Sequence, residues 1–318
     1  MHLRWPFKPR NGNRDESVEN DSSAAEARPD FLCVGAQKGG TSWLYQQLAA
    51  HPDFWMPPIK ELHYFDKLSR VKKGERPPHR QSDERDARFL ENLNKLSERS
   101  YIDVEQYAQL FAPKGSRLSG DISPTYSMLN DEVIERIVDY LPEAKVIFLA
   151  RDPVERAWSQ LSMGVRREMV PPFDASDPDE VIRNLLNPGV LALSYPSKIV
   201  ARWKRCVRPD LFQVYFFDDL ENDPAGLRRS ILRFFGSDPD KPSGRLRPDQ
   251  NKDAGVKKLR LTEKVSARVA QFFKEELHAC AAELNGPAKS WPARYGFALL
   301  WWLADWLDDL FLWLDWVG

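Results

Sequence analysis

The sequence predicts an α/β fold: a three-layer α/β/α domain around a central parallel sheet, followed by a C-terminal amphipathic, Trp-rich helix. Three observations predict it. Short apolar runs at Phe31–Val34, Lys145–Ala150 and Leu211–Phe217 alternate with stretches of helical spacing, as strand–helix–strand units of a parallel sheet do. A Gly-rich turn, Gly35 to Gly40, joins the first run to the first helical stretch. Finally, Trp291–Gly318 holds six of the eleven tryptophans, with Asp305, Asp308, Asp309 and Asp315 on one side of a helical wheel and an apolar face opposite.

The chain of 318 residues is long enough for one large α/β domain or two small ones, and a hydrophobic content of 42% supplies a sizeable core. We expect a disordered leader at 1–29, the α/β domain at 30–286 and the amphipathic helix at 287–318. Met1–Arg10 carries Arg4, Lys8 and Arg10 with no long apolar stretch behind it, unlike a signal peptide. Residues 11–29 are polar throughout. Basic and acidic residues, 46 and 47, nearly cancel, which argues against a globally basic nucleic-acid binder. Three widely spaced cysteines, Cys33, Cys206 and Cys280, suggest neither a zinc site nor a disulfide framework. No metal is expected, and the location expected is cytoplasmic.

The first strand, Phe31–Val34, leads through Gly35 into Lys38-Gly39-Gly40-Thr41-Ser42, after which Trp43, Leu44, Leu48 and Ala49 fall on one helical face. Strand, glycine turn and helix start make a P-loop-like anion site: the backbone approaches the ligand, and the helix N-terminus presents free N–H groups and positive potential. The ATP/GTP loop G-x-x-x-x-G-K-[ST] fits from Gly35 through Gly40, but Thr41 stands where its lysine belongs. The cation here is Lys38, with Thr41 and Ser42 as hydroxyl donors.

Next, Pro52, Pro57 and Pro58 forbid a helix. Ile59–Phe65 is expected as a loop or short strand carrying Lys60, Glu61, His63 and, just beyond, Asp66. On alternating geometry Glu61 and His63 share one side, so either is a candidate base. Histidine has the better ordinary pKa near neutrality. The apolar Trp55, Leu62, Tyr64 and Phe65 are expected to raise that of the glutamate.

Residues 67–100 are crowded with mixed charge and are expected as a solvated loop and surface helix. Tyr101–Phe111 has helical spacing. A strand at Arg117–Ile122 ends at Ser123-Pro124, and a helix follows at Asp131–Tyr140. Lys145–Ala150 is the clearest buried strand. Arg151-Asp152-Pro153 opens a helix to Met163 that carries Ser159 close to two turns along. Residues 164–194 form an insert, and a helix runs from Ser194 to about Arg205. Leu211–Phe217 is the last strand. Helices at Leu227–Phe235 and Leu261–Leu284 flank a basic loop at Asn251–Arg260.

Four of these stretches carry a family resemblance. Lys38-Gly-Gly-Thr-Ser42 resembles the 5′-phosphosulfate loop, Lys-x-Gly-Thr-[Ser/Thr], of sulfotransferases that use 3′-phosphoadenosine-5′-phosphosulfate (PAPS). Lys60-Glu-Leu-His-Tyr-Phe-Asp66 looks like the Lys-Glu-x-His-Phe-Phe-Asp element of the heparan sulfate/carbohydrate sulfotransferase branch, with Tyr for the first Phe. Gly120-Asp-Ile-Ser-Pro-Thr-Tyr126 is similar to Gly-Glu-x-[Ser/Thr]-Pro-x-Tyr, with Asp for Glu. Arg151-Asp-Pro-Val-Glu-Arg-Ala-Trp-Ser159 matches every fixed position of the 3′-phosphate motif.

The resemblance covers about residues 30–285 and implies a nucleotide-binding transferase that moves a sulfuryl group from PAPS to a hydroxyl of a carbohydrate, glycolipid or small-alcohol acceptor. It implies Lys38, Gly39, Gly40, Thr41 and Ser42 at the 5′-phosphosulfate, Arg151 and Ser159 at the 3′-phosphate, and a lysine of the basic loop, Lys257, closing over the nucleotide. It favours Glu61 as base with His63 in support, and Lys38 neutralising charge on the departing phosphate. Two other classes compete: a P-loop kinase or NTPase acting on a small molecule, disfavoured by Thr41, and a non-catalytic nucleotide-binding scaffold, disfavoured by the presence of Glu61. The Trp-rich tail has three uses open to it: packing on its own domain, self-association or partner binding, and peripheral membrane contact.

Overall fold

The computed structural model describes Phe7 and residues 27–66, 83–242, 246–250 and 259–297. Lys257, residues 298–318 of the expected tail helix and, apart from Phe7, the expected leader to residue 26 lie outside these. Two units make up the chain: residues 1–151 with 198–256, and residues 152–197 with 257–318.

The first unit is built on a parallel sheet of β1 (Phe31–Cys33), β2 (Gly120–Ile122), β3 (Lys145–Ala150) and β4 (Phe212–Phe216), in the order β2-β1-β3-β4. Parallel neighbours need crossovers, and helices supply them. From β1 to β3 these are, in chain order, α1 (Thr41–Ala49), α2 (Glu84–Ser97), α3 (Val104–Gln109) and α4 (Asp131–Tyr140). The register pairs Phe31 with Gly120 and Lys145, and Leu149 with Tyr215. Alternation therefore sends Phe31, Cys33, Ile122, Ile147, Leu149 and Tyr215 to one face, where they pack on Trp43, Leu44 and Leu48 of α1 and on Leu227, Ile231 and Phe235 of a later helix. Phe31 stacks on Phe235 with ring centroids 4.2 Å apart. Burying each such ring stabilises the fold by about 1.5–3 kcal/mol. The opposite face, with Leu32 and Val146, meets Ile137 and Val138 of α4 and also Trp203 and Val207. Helices on both faces make three layers, as the sequence predicts.

The second unit opens with α5 (Pro153–Arg166) and continues through α6 (Pro178–Leu185) and α7 (Pro188–Leu191), which occupy the expected insert. In α8 (Pro196–Cys206) the chain returns to the first unit, where β4, α9 (Phe217–Asn222) and α10 (Pro224–Phe235) follow. The last helices are α11 (Glu263–Phe272), α12 (Lys274–Glu283) and α13 (Trp291–Arg294). The single helix expected over Leu261–Leu284 is two, broken at Phe273, whose ψ of 12° is off the helical path. The break lets Phe273, 1% exposed, enter the core of its unit.

The start of the expected tail is packed in this unit. Trp291 is fully buried, α13 lies on α12, and the Tyr295 hydroxyl donates to Asp152 Oδ2 at 3.0 Å. Asp152 is itself fully buried. Its Oδ1 caps α5 by accepting from the Val154 N–H at 2.9 Å. Burial raises its pKa to about 7, and the neighbouring Glu155 adds to the rise.

Candidate active site

The Gly-rich turn remains zipped to β3 beyond the end of β1. The Val34 N–H donates to Ile147 O, and the Ala36 N–H donates to Leu149 O at 2.9 Å. The turn then closes on itself through the Gly39 N–H to Ala36 O at 2.9 Å. A Cβ on Gly39 would lie 2.5 Å from Leu149 O, so only glycine fits beneath the strand end. Gly40 enters α1 at φ 96°, a left-handed conformation that glycine adopts without cost.

That entry leaves the positive end of α1 uncompensated. Among the described residues no side chain caps it, and no acidic residue lies in its first turn. Asp83, Asp103, Asn130, Asp177 and Asp223, by contrast, cap α2, α3, α4, α6 and α10. Thr41 and Ser42 stand at the start of α1, and Lys38 takes φ 70° in the turn before it. The arrangement is a glycine cradle with a cation and hydroxyls at an open helix N-terminus, which fits a phosphate or sulfate ester. Behind it the Arg151 guanidinium donates to Lys38 O at 3.0 Å and lies 3.9 Å over the Phe217 ring.

The second segment of the site comes from the proline-rich stretch. The Trp55 N–H bonds to Leu118 O and the Glu61 N–H to Ile122 O at 3.1 Å, tying the stretch beside β2. It is a loop in which Glu61 (φ 64°) and His63 (φ 55°) both take left-handed backbone conformations. This alternation, rather than a strand's, puts the two polar side chains together while Leu62 and Tyr64 are buried. His63 Nε2 lies 3.4 Å from Glu61 Oε2, and His63 Nδ1 lies 2.9 Å from both Asp66 Oδ2 and the Thr125 hydroxyl. Lys60 Nζ contacts Glu61 Oε1 at 2.6 Å and donates to Thr41 Oγ1 at 3.1 Å. The carboxylate of Glu61 is thereby joined to the first residue of α1.

Asp121, fully buried, anchors this loop from β2. It accepts from Tyr107 at 3.0 Å, Tyr126 at 2.7 Å and Ser123 at 2.7 Å. Tyr126 in turn accepts from the Tyr64 N–H, and Ser123 from the His63 N–H. Burial raises the Asp121 pKa, and the three hydroxyl donors partly offset it.

The electrostatics separate Glu61 from His63. Burial pushes the Glu61 carboxyl up, but hydrogen bonding to His63 and the Lys60 charge outweigh it and hold the pKa well below the usual range. The rise expected from apolar surroundings is thus reversed, because two cations share the pocket with the carboxylate. For His63, burial favours the neutral ring, but the Asp66 and Glu61 carboxylates overcome it and lift the pKa to about 9. At neutral pH Glu61 is an ionised acceptor and His63 an imidazolium donor.

The site residues read from the sequence fall as follows. Lys38, Gly39, Gly40, Thr41 and Ser42 form the turn and helix start; Glu61 and His63 face each other; Arg151 reaches the carbonyl of Lys38. Ser159 lies half-buried on α5 of the second unit. The functional reading of the sequence gave no role to Lys60, Thr125 or Asp121. Their signal was local, since Lys60 adjoins Glu61 and the other two lie in Gly120–Tyr126, but the contacts that give them roles are long-range.

An anion cradle at a helix start, an ionised carboxylate linked to it and a parallel sheet between helices define an α/β group-transfer protein. The profile described as the Sulfotransferase family matches residues 29–241, more than half of the chain, and the chain belongs to that family. Its fold is similar to that of the sulfotransferase from Alicyclobacillus acidocaldarius, at a TM-score of 0.59 and 24% identity, covering 83% of this chain and 98% of that one. It is also 29% identical over 151 residues to the membrane-associated sulfotransferase kil1 of Dictyostelium discoideum. That match spans 46% of this chain and 26% of the relative, so the chain covers about a quarter of its length. Among the described residues no helix is long and apolar enough to cross a membrane, and no His/Cys/Asp/Glu group is arranged to hold a metal.

Proposed function

We propose that this protein transfers a sulfuryl group from PAPS to a hydroxyl of a glycan, glycolipid or small alcohol, in the manner of the heparan sulfate/carbohydrate branch. The observation that carries the reading is the junction of Glu61, through Lys60, to Thr41 at the open end of α1. It supports reading Glu61 as a proton acceptor for an anionic donor held at the cradle.

In this reading the backbone N–H groups from Gly39 to Ser42 hold the 5′-phosphosulfate and Lys38 neutralises the charge that grows on the phosphate oxygen. The donor supplies the activated sulfuryl group. Glu61 accepts the proton of the attacking hydroxyl as the new O–S bond forms. His63, charged and fixed by Asp66 and Thr125, holds Glu61 Oε2 and orients the carboxylate. It is no base itself until its proton is lost. Arg151 and Ser159 are the residues proposed to recognise the 3′-phosphate and select PAPS over ATP, and Lys257 is proposed as a nucleotide contact. Catalysis is chiefly positioning and charge stabilisation, as in other in-line group transfers. The amphipathic tail is proposed to mediate self-association or peripheral membrane contact, a use that the membrane-associated relative makes reasonable.

Binding of 3′-phosphoadenosine 5′-phosphate tests the donor assignment. A charge-assisted phosphate contact is worth ~1.5–3 kcal/mol. By calorimetry in chelator, Arg151→Ala should weaken the bisphosphate by at least about tenfold and remove most of its preference over AMP. Equal wild-type affinity for the two nucleotides would overturn the 3′-phosphate assignment.

A further inference from the structure

Lys60 is placed to answer to both halves of the site. Its side chain is 10% exposed, and the ammonium makes two contacts at opposite ends of the site: Glu61 Oε1 at 2.6 Å and Thr41 Oγ1 at 3.1 Å. An ammonium has three donors on a flexible stem, so it can trade one partner for another without moving its backbone. The Glu61 carboxylate also faces His63, and behind His63 lie Asp66 and Asp121. Among these groups Lys60 alone spans from the carboxylate to the first residue of α1.

We propose that Lys60 is a positioning residue that couples donor binding to the readiness of Glu61: an anion seated at the start of α1 draws its ammonium from the carboxylate toward the Thr41 end. The inference rests on the donor site proposed above. Before the donor binds, Lys60 grips Glu61 and keeps it a poor proton acceptor, which protects the site from idle proton transfer. As the anion arrives it competes with Glu61 for the same ammonium. The carboxylate, no longer held by Lys60, then becomes the stronger base when a sulfuryl group is present to be attacked.

Competition leaves a mark on binding that does not depend on turnover. Removing the charge of Glu61 relieves repulsion of an anion whatever stands at position 60. It also releases Lys60 to the anion, but only where Lys60 is present. Calorimetric titration of 3′-phosphoadenosine 5′-phosphate into wild type, Glu61→Gln, Lys60→Met and the double variant separates the two effects. Contacting residues couple measurably in such cycles. We expect Glu61→Gln to tighten the nucleotide about fivefold more with Lys60 present than in the Lys60→Met background. Lys60→Gln carries the same expectation and replaces Lys60→Met if that variant has no cooperative thermal transition. Equal effects of Glu61→Gln in both backgrounds, with wild type binding the nucleotide, would overturn the role of Lys60 and leave the donor site standing. No binding by wild type would overturn both.

Discussion

At the scale of single residues, the division of labour between Glu61 and His63 rests on their shared neighbours. Chain spacing alone left both as candidate bases. It could show neither that Lys60 bends onto the carboxylate nor that Asp66 and Thr125 close on the imidazole, because left-handed backbone at two non-glycine residues leaves no pattern in the sequence. The charged His63 has a testable consequence. Its folded pKa, about 9, lies above its ordinary value of 6.5. The contribution of its ion pairs is therefore complete below about 6.5 and is lost as pH rises through about 9. Turnover should fall over the same alkaline range as the grip on Glu61 is released. Asp66→Asn removes a charge that sustains the imidazolium, so the alkaline limb of the kcat profile should move down by about one pH unit or more. An unmoved limb would show that another group sets it.

Among the secondary-structure elements, the strands were the most legible. Lys145–Ala150 is apolar and β-branched, and the structure makes β3 of those same residues. The glycine turn was legible because the left-handed entry to α1 demands Gly40. The break at Phe273 was not, since Phe272 and Phe273 continue the apolar run with neither Gly nor Pro to mark an end. Nor was the role of Tyr295, whose partner Asp152 lies far away in sequence. Because Trp291 is fully buried and Tyr295 bonds to Asp152, a chain ending at Gly286 should unfold at lower temperature than one ending at Phe297. Loss of a buried Trp costs on the order of 3–5 kcal/mol. Asp152 sets the pH sense of the effect. Its folded pKa, about 7, is above the ordinary 3.8, so its contribution is complete below that ordinary value and lost as pH rises through about 7. The Tyr295 donor helps hold the buried carboxylate once it is charged, so the deficit of the shorter chain should be larger above neutral pH than below it. Equal melting of the two chains would place residues 287–297 outside the fold.

For the whole molecule, the class of protein was legible because the chemistry-bearing stretches are short and contiguous: Lys38–Ser42, Lys60–Asp66, Gly120–Tyr126 and Arg151–Ser159. Three of them sit at a strand end or helix start of the α/β sheet, where such folds place their ligands, and Lys60–Asp66 is a loop tied beside β2. The acceptor was not legible, because segments such as 164–194, which form α6 and α7, carry no chemical signature. The central claim is that this sheet and its loops move a sulfuryl group to a hydroxyl with Glu61 taking the proton. The most direct test is transfer of labelled sulfate from PAPS, in chelator, to a panel of glycan, glycolipid and small-alcohol acceptors by wild type and Glu61→Gln. Transfer by wild type to at least one acceptor class, reduced ~10²–10⁴-fold by Glu61→Gln, is the expected result. Undiminished transfer by Glu61→Gln, or no transfer from PAPS to any acceptor class, would contradict it.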